Sequence, residues 1–156
     1  MQLKNLVHDE YGEKYYDHLL EQWKTCVEMA NSNSEKRIST NNVFISINAA
    51  LFAIISFSLD YKSILLSAIG IVVCALWLNS ISSYKKINSV KYQIINEIET
   101  LLPVCPYAYE WALLGDDNKY KRFTHIERML PIVFIGMFAI AILVPTISWL
   151  VEHVCL

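Results

Sequence analysis

Three long stretches without a charged side chain restrict what this chain can fold into. Val43 to Leu59 reads VFISINAALFAIISFSL, Ser63 to Ile81 reads SILLSAIGIVVCALWLNSI, and Met129 to Val151 reads MLPIVFIGMFAIAILVPTISWLV. A bilayer core of about 30 Å is crossed by roughly 20 helical residues rising ~1.5 Å each. The third stretch meets that requirement alone. Joined as one helix, the first two would reach about 58 Å, and Asp60 and Lys62 would fall near mid-membrane. Each charge there costs at least ~2.5 kcal/mol. A tight hairpin turning at Asp60-Tyr61-Lys62 puts both at the far surface instead, so three spans are expected.

Composition points the same way. Hydrophobic residues make up 54% of the 156 and charged residues 18%, against roughly 45–50% and about 25% in soluble domains. Uncharged runs of this length are rare in soluble helical cores. The first run begins only at Val43, after a largely polar segment, which does not fit a cleaved signal peptide.

The basic residues set an orientation. All but Lys62 of the 13 lie before the first span or between the second and third, two segments that three crossings leave on one side. The positive-inside rule makes that side cytoplasmic and puts the C-terminus outside. The resulting division is 1–42, a cytoplasmic N-terminal helical segment; 43–81, a transmembrane hairpin; 82–128, a cytoplasmic helical region; 129–151, the third span; and 152–156, an external tail. The expected fold is an all-α helical integral membrane protein with three transmembrane helices and cytoplasmic amphipathic helices. Trp77 and Trp149 fall near span ends, where amphipathic rings prefer to sit.

In the cytoplasmic parts, Tyr16, Leu19, Leu20, Trp23, Cys26, Val27 and Ala30 recur at spacings of three and four, predicting one apolar stripe on a helix from about Glu10 to Ala30. Asn31 to Ser34 reads as a break, and Ser39, Thr40 and Asn41 offer caps for the first span. After the second span, Tyr84, Ile87, Lys91, Ile94, Ile95, Ile98, Leu101 and Leu102 keep helical spacing and predict one long helix ending near Leu102. Its half-apolar face calls for partners: the N-terminal helix first, then neighbouring copies. Pro103 and Pro106 break the chain. A short helix closes at Gly115, and Asp116-Asp117-Asn118 is a turn. Thr124 to Glu127 has the capping-box pattern, and Pro131, a turn further on, marks a bend or a fresh helix start.

Little in the chain points to catalysis. His8, His18, His125 and His153 are scattered, and Cys26, Cys74, Cys105 and Cys155 form no ligand spacing, so no metal, cofactor or disulfide scaffold is expected. Glu97 and Glu99 point to different helix faces. There is no nucleophile motif or glycine-rich phosphate loop, and an enzyme is not expected. A net charge of −2 argues against nucleic-acid binding.

The spans carry the site candidates. Ser46, Ala49, Ala50, Ala53 and Ser56, with Asn48 adjacent, make a small, partly polar stripe on the first; Ser67, Gly70 and Cys74 repeat small residues on the second. Small residues let helix backbones approach closely. Two readings fit: hairpin and subunit packing, or Ser46 and Asn48 lining a water-filled axis in a ring of subunits.

Trp77, Ser83-Tyr84, Ile87-Asn88, Lys91-Tyr92, Ile95, Glu97-Ile98-Glu99, Leu102-Pro103, Pro106 and Glu110-Trp111 resemble the central signature of the RipA-type octameric membrane proteins of bacteria. Ser39, Asn41 and Phe44, and then Thr124, Glu127 and Pro131, are also similar, so that the resemblance covers about Leu20 to Pro131. Lys85-Lys86 departs from it, standing near where the pattern has an arginine. The resemblance implies a bacterial inner-membrane homo-oligomer, an octamer, without an agreed biochemical activity; Trp23, Tyr84, Asn88, Lys91, Glu110 and Trp111 are the candidate cytoplasmic surface for assembly or for a cytoplasmic protein partner. A looser likeness is to small membrane-spanning effectors of antiphage systems. The functional expectation is a membrane-perturbing effector or channel in bacterial defence or stress; the alternative is a non-conducting scaffold that recruits a cytoplasmic partner.

Overall fold

The structure is a computed structural model and describes residues 8–57, 61–116 and 123–154. It holds five helices in chain order: α1 His8–Tyr11, α2 Tyr15–Phe57, α3 Tyr61–Glu99, α4 Pro106–Asp116 and α5 Phe123–Val154. No strand occurs among the described residues. The fold is all-α, and α2, α3 and α5 are long and apolar enough to cross a membrane. The hairpin expected at Asp60 agrees with α2 ending at Phe57 and α3 starting at Tyr61; Asp60 itself and the turn residues Asp117 and Asn118 lie outside the described residues.

The chain forms two compact units. One contains residues 1–34 and 86–120, the other residues 35–85 and 121–156. Helices α2 and α3 contribute to both.

In the first unit, Gly12 separates α1 from α2. Its φ of 94° is one that residues with a Cβ rarely adopt. The expected N-terminal helix is therefore two pieces, the longer starting at Tyr15. Of the expected stripe, Leu19 and Ala30 are buried, Trp23, Cys26 and Val27 half-buried, and Tyr16 and Leu20 exposed. On α3, Ile95, Ile98 and Glu99 are buried. Pro106 opens α4, where its missing N–H costs nothing, and the helix runs to Asp116, one residue past Gly115.

The break expected at Asn31 to Ser34 does not occur, since α2 is continuous from Tyr15 to Phe57. Two of these polar side chains, Asn33 and Ser34, bond α3 instead. Ser34 Oγ donates back to Ala30 O at 3.1 Å. Asn33 Nδ2 donates to Asn88 Oδ1 at 2.5 Å, and Asn88 Nδ2 to Ser34 Oγ at 3.3 Å. Ser39, Thr40 and Asn41 are likewise inside the helix and not caps; Thr40 Oγ1 donates to Lys36 O at 2.8 Å.

The second unit holds the apolar parts of the three long helices. Ile55, Cys74, Phe138 and Ala141 form its core, with Leu51, Phe52, Leu66, Ile71, Phe134 and Ile135 packed around them. Helix α5 passes through Pro131 and Pro145 without a break. A spanning helix tolerates the lost backbone bonds where neighbouring groups compensate. Pro131 thus marks no fresh start.

Candidate functional site: a polar seam between the spanning helices

Within the second unit, one face of α2 presents Arg37, Asn41, Phe44 and Asn48 at steps of four, three and four, the spacing that keeps side chains on one stripe. Each meets a partner on α3 or α5. The Arg37 guanidinium pairs through Nη2 with Glu127 Oε2 on α5, the two side chains being only 12% and 6% exposed. Asn41 Nδ2 donates to the other oxygen, Glu127 Oε1, at 2.9 Å. Asn41 Oδ1 accepts the Trp77 indole N–H at 2.8 Å, and Phe44 stacks on Trp77 with centroids 5.7 Å apart. Deeper in the apolar zone, Asn48 Nδ2 donates to Phe44 O at 2.8 Å, while its Oδ1 accepts from the Cys74 thiol at 3.1 Å.

The seam works through mutual satisfaction. A carboxylate with little water around it needs an opposite charge and donors for its lone pairs, and Arg37 and Asn41 supply both. The capping role expected for Glu127 is thus replaced by an inter-helix one, and the side chain of Thr124 lies outside the described residues. Two outlying bonds add to the seam. Thr40 Oγ1 and the Tyr84 hydroxyl lie 3.1 Å apart, and Arg128 Nη2 donates to Ser82 Oγ at 2.8 Å.

The stripe residues divide between inside and outside. Asn48 is fully buried and both ends of its amide are engaged within the protomer, so it is a packing residue here. Gly70 is also inside, where a Cβ would come within 2.5 Å of the Phe138 ring; α3 and α5 approach closely because Gly70 has no side chain. Ser46, Ala49, Ala50, Ala53 and Ser56 lie on the outer surface of α2. The two serine hydroxyls bond their own helix, Ser46 Oγ to Asn42 O at 2.9 Å and Ser56 Oγ to Phe52 O at 2.8 Å.

The other candidates are less tightly grouped. In the first unit, Trp23 is half-buried with its ring 6.1 Å from that of Tyr107. Asn88 binds Asn33 and Ser34, Lys91 is half-buried, and Glu110 and Trp111 are exposed on α4. Tyr84 belongs to the second unit. One residue that the sequence reading left without a role is Glu99. It is 1% exposed, and its two oxygens accept the Tyr107 and Ala108 backbone N–H groups at 3.2 and 3.1 Å, holding the start of α4. A carboxylate shortly before a proline-started helix is the signal that points to such a cap. Among the described residues no three His, Cys, Asp or Glu side chains are grouped to hold a metal ion.

A model of the octameric membrane protein family (8xMP) matches residues 20–147. The chain belongs to this family. The octameric membrane protein match takes in Arg37, Asn41, Asn48, Gly70, Trp77, Glu127 and Phe138, the whole seam and its apolar floor. With three helices able to cross a bilayer, it is an oligomeric membrane protein. Searches of curated proteins and of solved structures returned no match.

Proposed function

We propose that the protein is an inner-membrane octamer of bacteria whose copies pack through the outer face of α2 and form a gated, membrane-perturbing assembly used in defence or stress. The observation that carries this reading is the exposed row of Ser46, Ala49, Ala50, Ala53 and Ser56. Beside that row α2 also exposes Val43, Ile47, Ile54 and Phe57, and the outer surfaces of α3 and α5 carry Leu65, Val72, Leu76, Ile140, Leu143 and Ile147, side chains suited to lipid tails. A small-residue face gains little from lipid and lets another helix approach closely, and membership in an octameric family supplies the other helix. In such a ring Ser46 and Ser56 present hydroxyls near the axis, whereas Asn48 stays within the protomer. The N-terminus and the region between the second and third spans are cytoplasmic, from the distribution of basic residues. The link to defence comes from the likeness to small membrane-spanning antiphage effectors.

Reconstitution into dye-loaded vesicles and planar bilayers tests the reading. The assembly is expected to pass ions or dye, Ser46→Leu to change conductance, and Asn48→Leu to act through stability. Vesicles that stay tight, together with an unchanged membrane potential in cells making the protein, overturn it.

A second reading has its own observation. The first unit leaves Tyr109, Trp111 and Leu113 of α4 exposed, aromatic and apolar side chains of the kind enriched at protein interfaces. A non-conducting scaffold would use them to hold a cytoplasmic protein. It predicts a co-purifying partner lost on Trp111→Ala, with the membrane intact.

A further inference from the structure

We propose that Arg128, Ser82 and Lys85 form a site for the phosphate headgroup of an anionic membrane lipid where α3 and α5 meet. The two arginines of the second unit described here are used differently. Arg37 is matched by Glu127, whereas Arg128, the next residue along α5, bonds Ser82 on α3. Ser82 is a neutral acceptor whose own proton goes to Leu78 O at 3.0 Å. The Arg128 guanidinium is therefore held in place without being neutralised, and most of its five N–H donors remain available. The ion pairs among the described residues are His8–Asp9, Lys24–Glu21 and Arg37–Glu127, and neither Arg128 nor Lys85 takes part. Lys85 is one turn along α3 from Ser82, on the same face, and is exposed.

Depth selects the ligand. Ser82 directly follows the expected second span, which ends at Ile81, and Lys85 is the first charge after it; Arg128 directly precedes the uncharged stretch that starts at Met129. Ser82 and Arg128 therefore lie at the edge of the apolar zone, the level of lipid phosphates. Met129 and Ile132, 64% and 57% exposed on the adjoining turn of α5, offer apolar surface to the chains below such a headgroup. A fixed guanidinium and a nearby ammonium match a phosphodiester carrying net negative charge. A zwitterionic headgroup brings its own cation, and inorganic phosphate brings no chains. The proposal does not depend on whether the assembly conducts.

Native mass spectrometry of the full chain in detergent, titrated with phosphatidylglycerol, phosphatidylcholine or inorganic phosphate, tests the site. Phosphatidylglycerol should bind best. Its affinity should fall roughly fivefold in Lys85→Gln and about thirtyfold in the Arg128→Gln/Lys85→Gln pair. Ser82→Ala keeps every charge but releases Arg128, and should also weaken binding, whereas Lys36→Gln, an exposed lysine on α2, should not. Unchanged affinity in the double variant, or an equal loss in Lys36→Gln, overturns the site. If inorganic phosphate competes as well as the lipid, the site takes free anions and the lipid assignment is wrong. Should the double variant fail to fold, unchanged binding in both Ser82→Ala and Lys85→Gln is the overturning result.

Discussion

Arg37 on α2 and Glu127 on α5, ninety positions apart in sequence, form an ion pair that is almost closed to solvent. Two of the charges that the hydropathy pattern leaves near the margins of the spans thus neutralise each other inside the protomer, where they link α2 to α5.

Removing one partner should therefore be worse than removing both. Glu127→Ala leaves a buried, uncompensated guanidinium, at a cost of about 3–5 kcal/mol. Arg37→Met/Glu127→Leu should recover much of that loss. Thermal unfolding followed by tryptophan fluorescence in detergent makes the comparison, and a double variant less stable than Glu127→Ala contradicts it.

Gly70 and Phe138 form a size-matched pair. Gly70→Ala should cost about 1–3 kcal/mol by overpacking, because the ring meeting the new Cβ is itself fully buried. Phe138→Leu in the same chain should relieve part of the loss, which a double-mutant cycle on melting temperature would measure. Simple additivity of the two changes would rule out the contact.

Much of this organisation is legible in the sequence. Spans are defined by the absence of charge along one dimension, so all three long apolar helices are visible from the residues, as are the division between α2 and α3 and the start of a new helix after Pro103. The lateral relationships are not. Asn31 to Ser34 have turn composition, yet the helix continues through them, with Asn33 and Ser34 bonding Asn88 and Ser34 also bonding Ala30 O. Glu127 fits a capping box equally well until Arg37 and Asn41 are seen beside it. Small residues occur on both faces of α2, and only the buried partner Cys74 shows that Asn48 faces inward while Ala49 and Ala53 face out.

The Glu99 cap has a local consequence. Glu99→Ala should cost about 0.5–2 kcal/mol and act mainly on α4. Hydrogen exchange should accelerate at Tyr107 and Ala108, with little change in the core around Phe138. Uniform acceleration through both regions would show that the carboxylate does not act locally.

Cys105 is exposed in the first unit and reports the proposed orientation. In a variant with Cys105 as its single cysteine, a membrane-impermeant maleimide should label it only after spheroplasts are permeabilised. Labelling of intact spheroplasts would reverse the topology.

The most direct test of the assembly is oxidative cross-linking between copies in native membranes, with one cysteine placed at Ala53 in an otherwise cysteine-free chain. Packing through the outer face of α2 predicts covalent dimers from Ala53→Cys and none from Leu143→Cys, which is exposed on α5. Cross-linking at position 143 with none at 53 would contradict it.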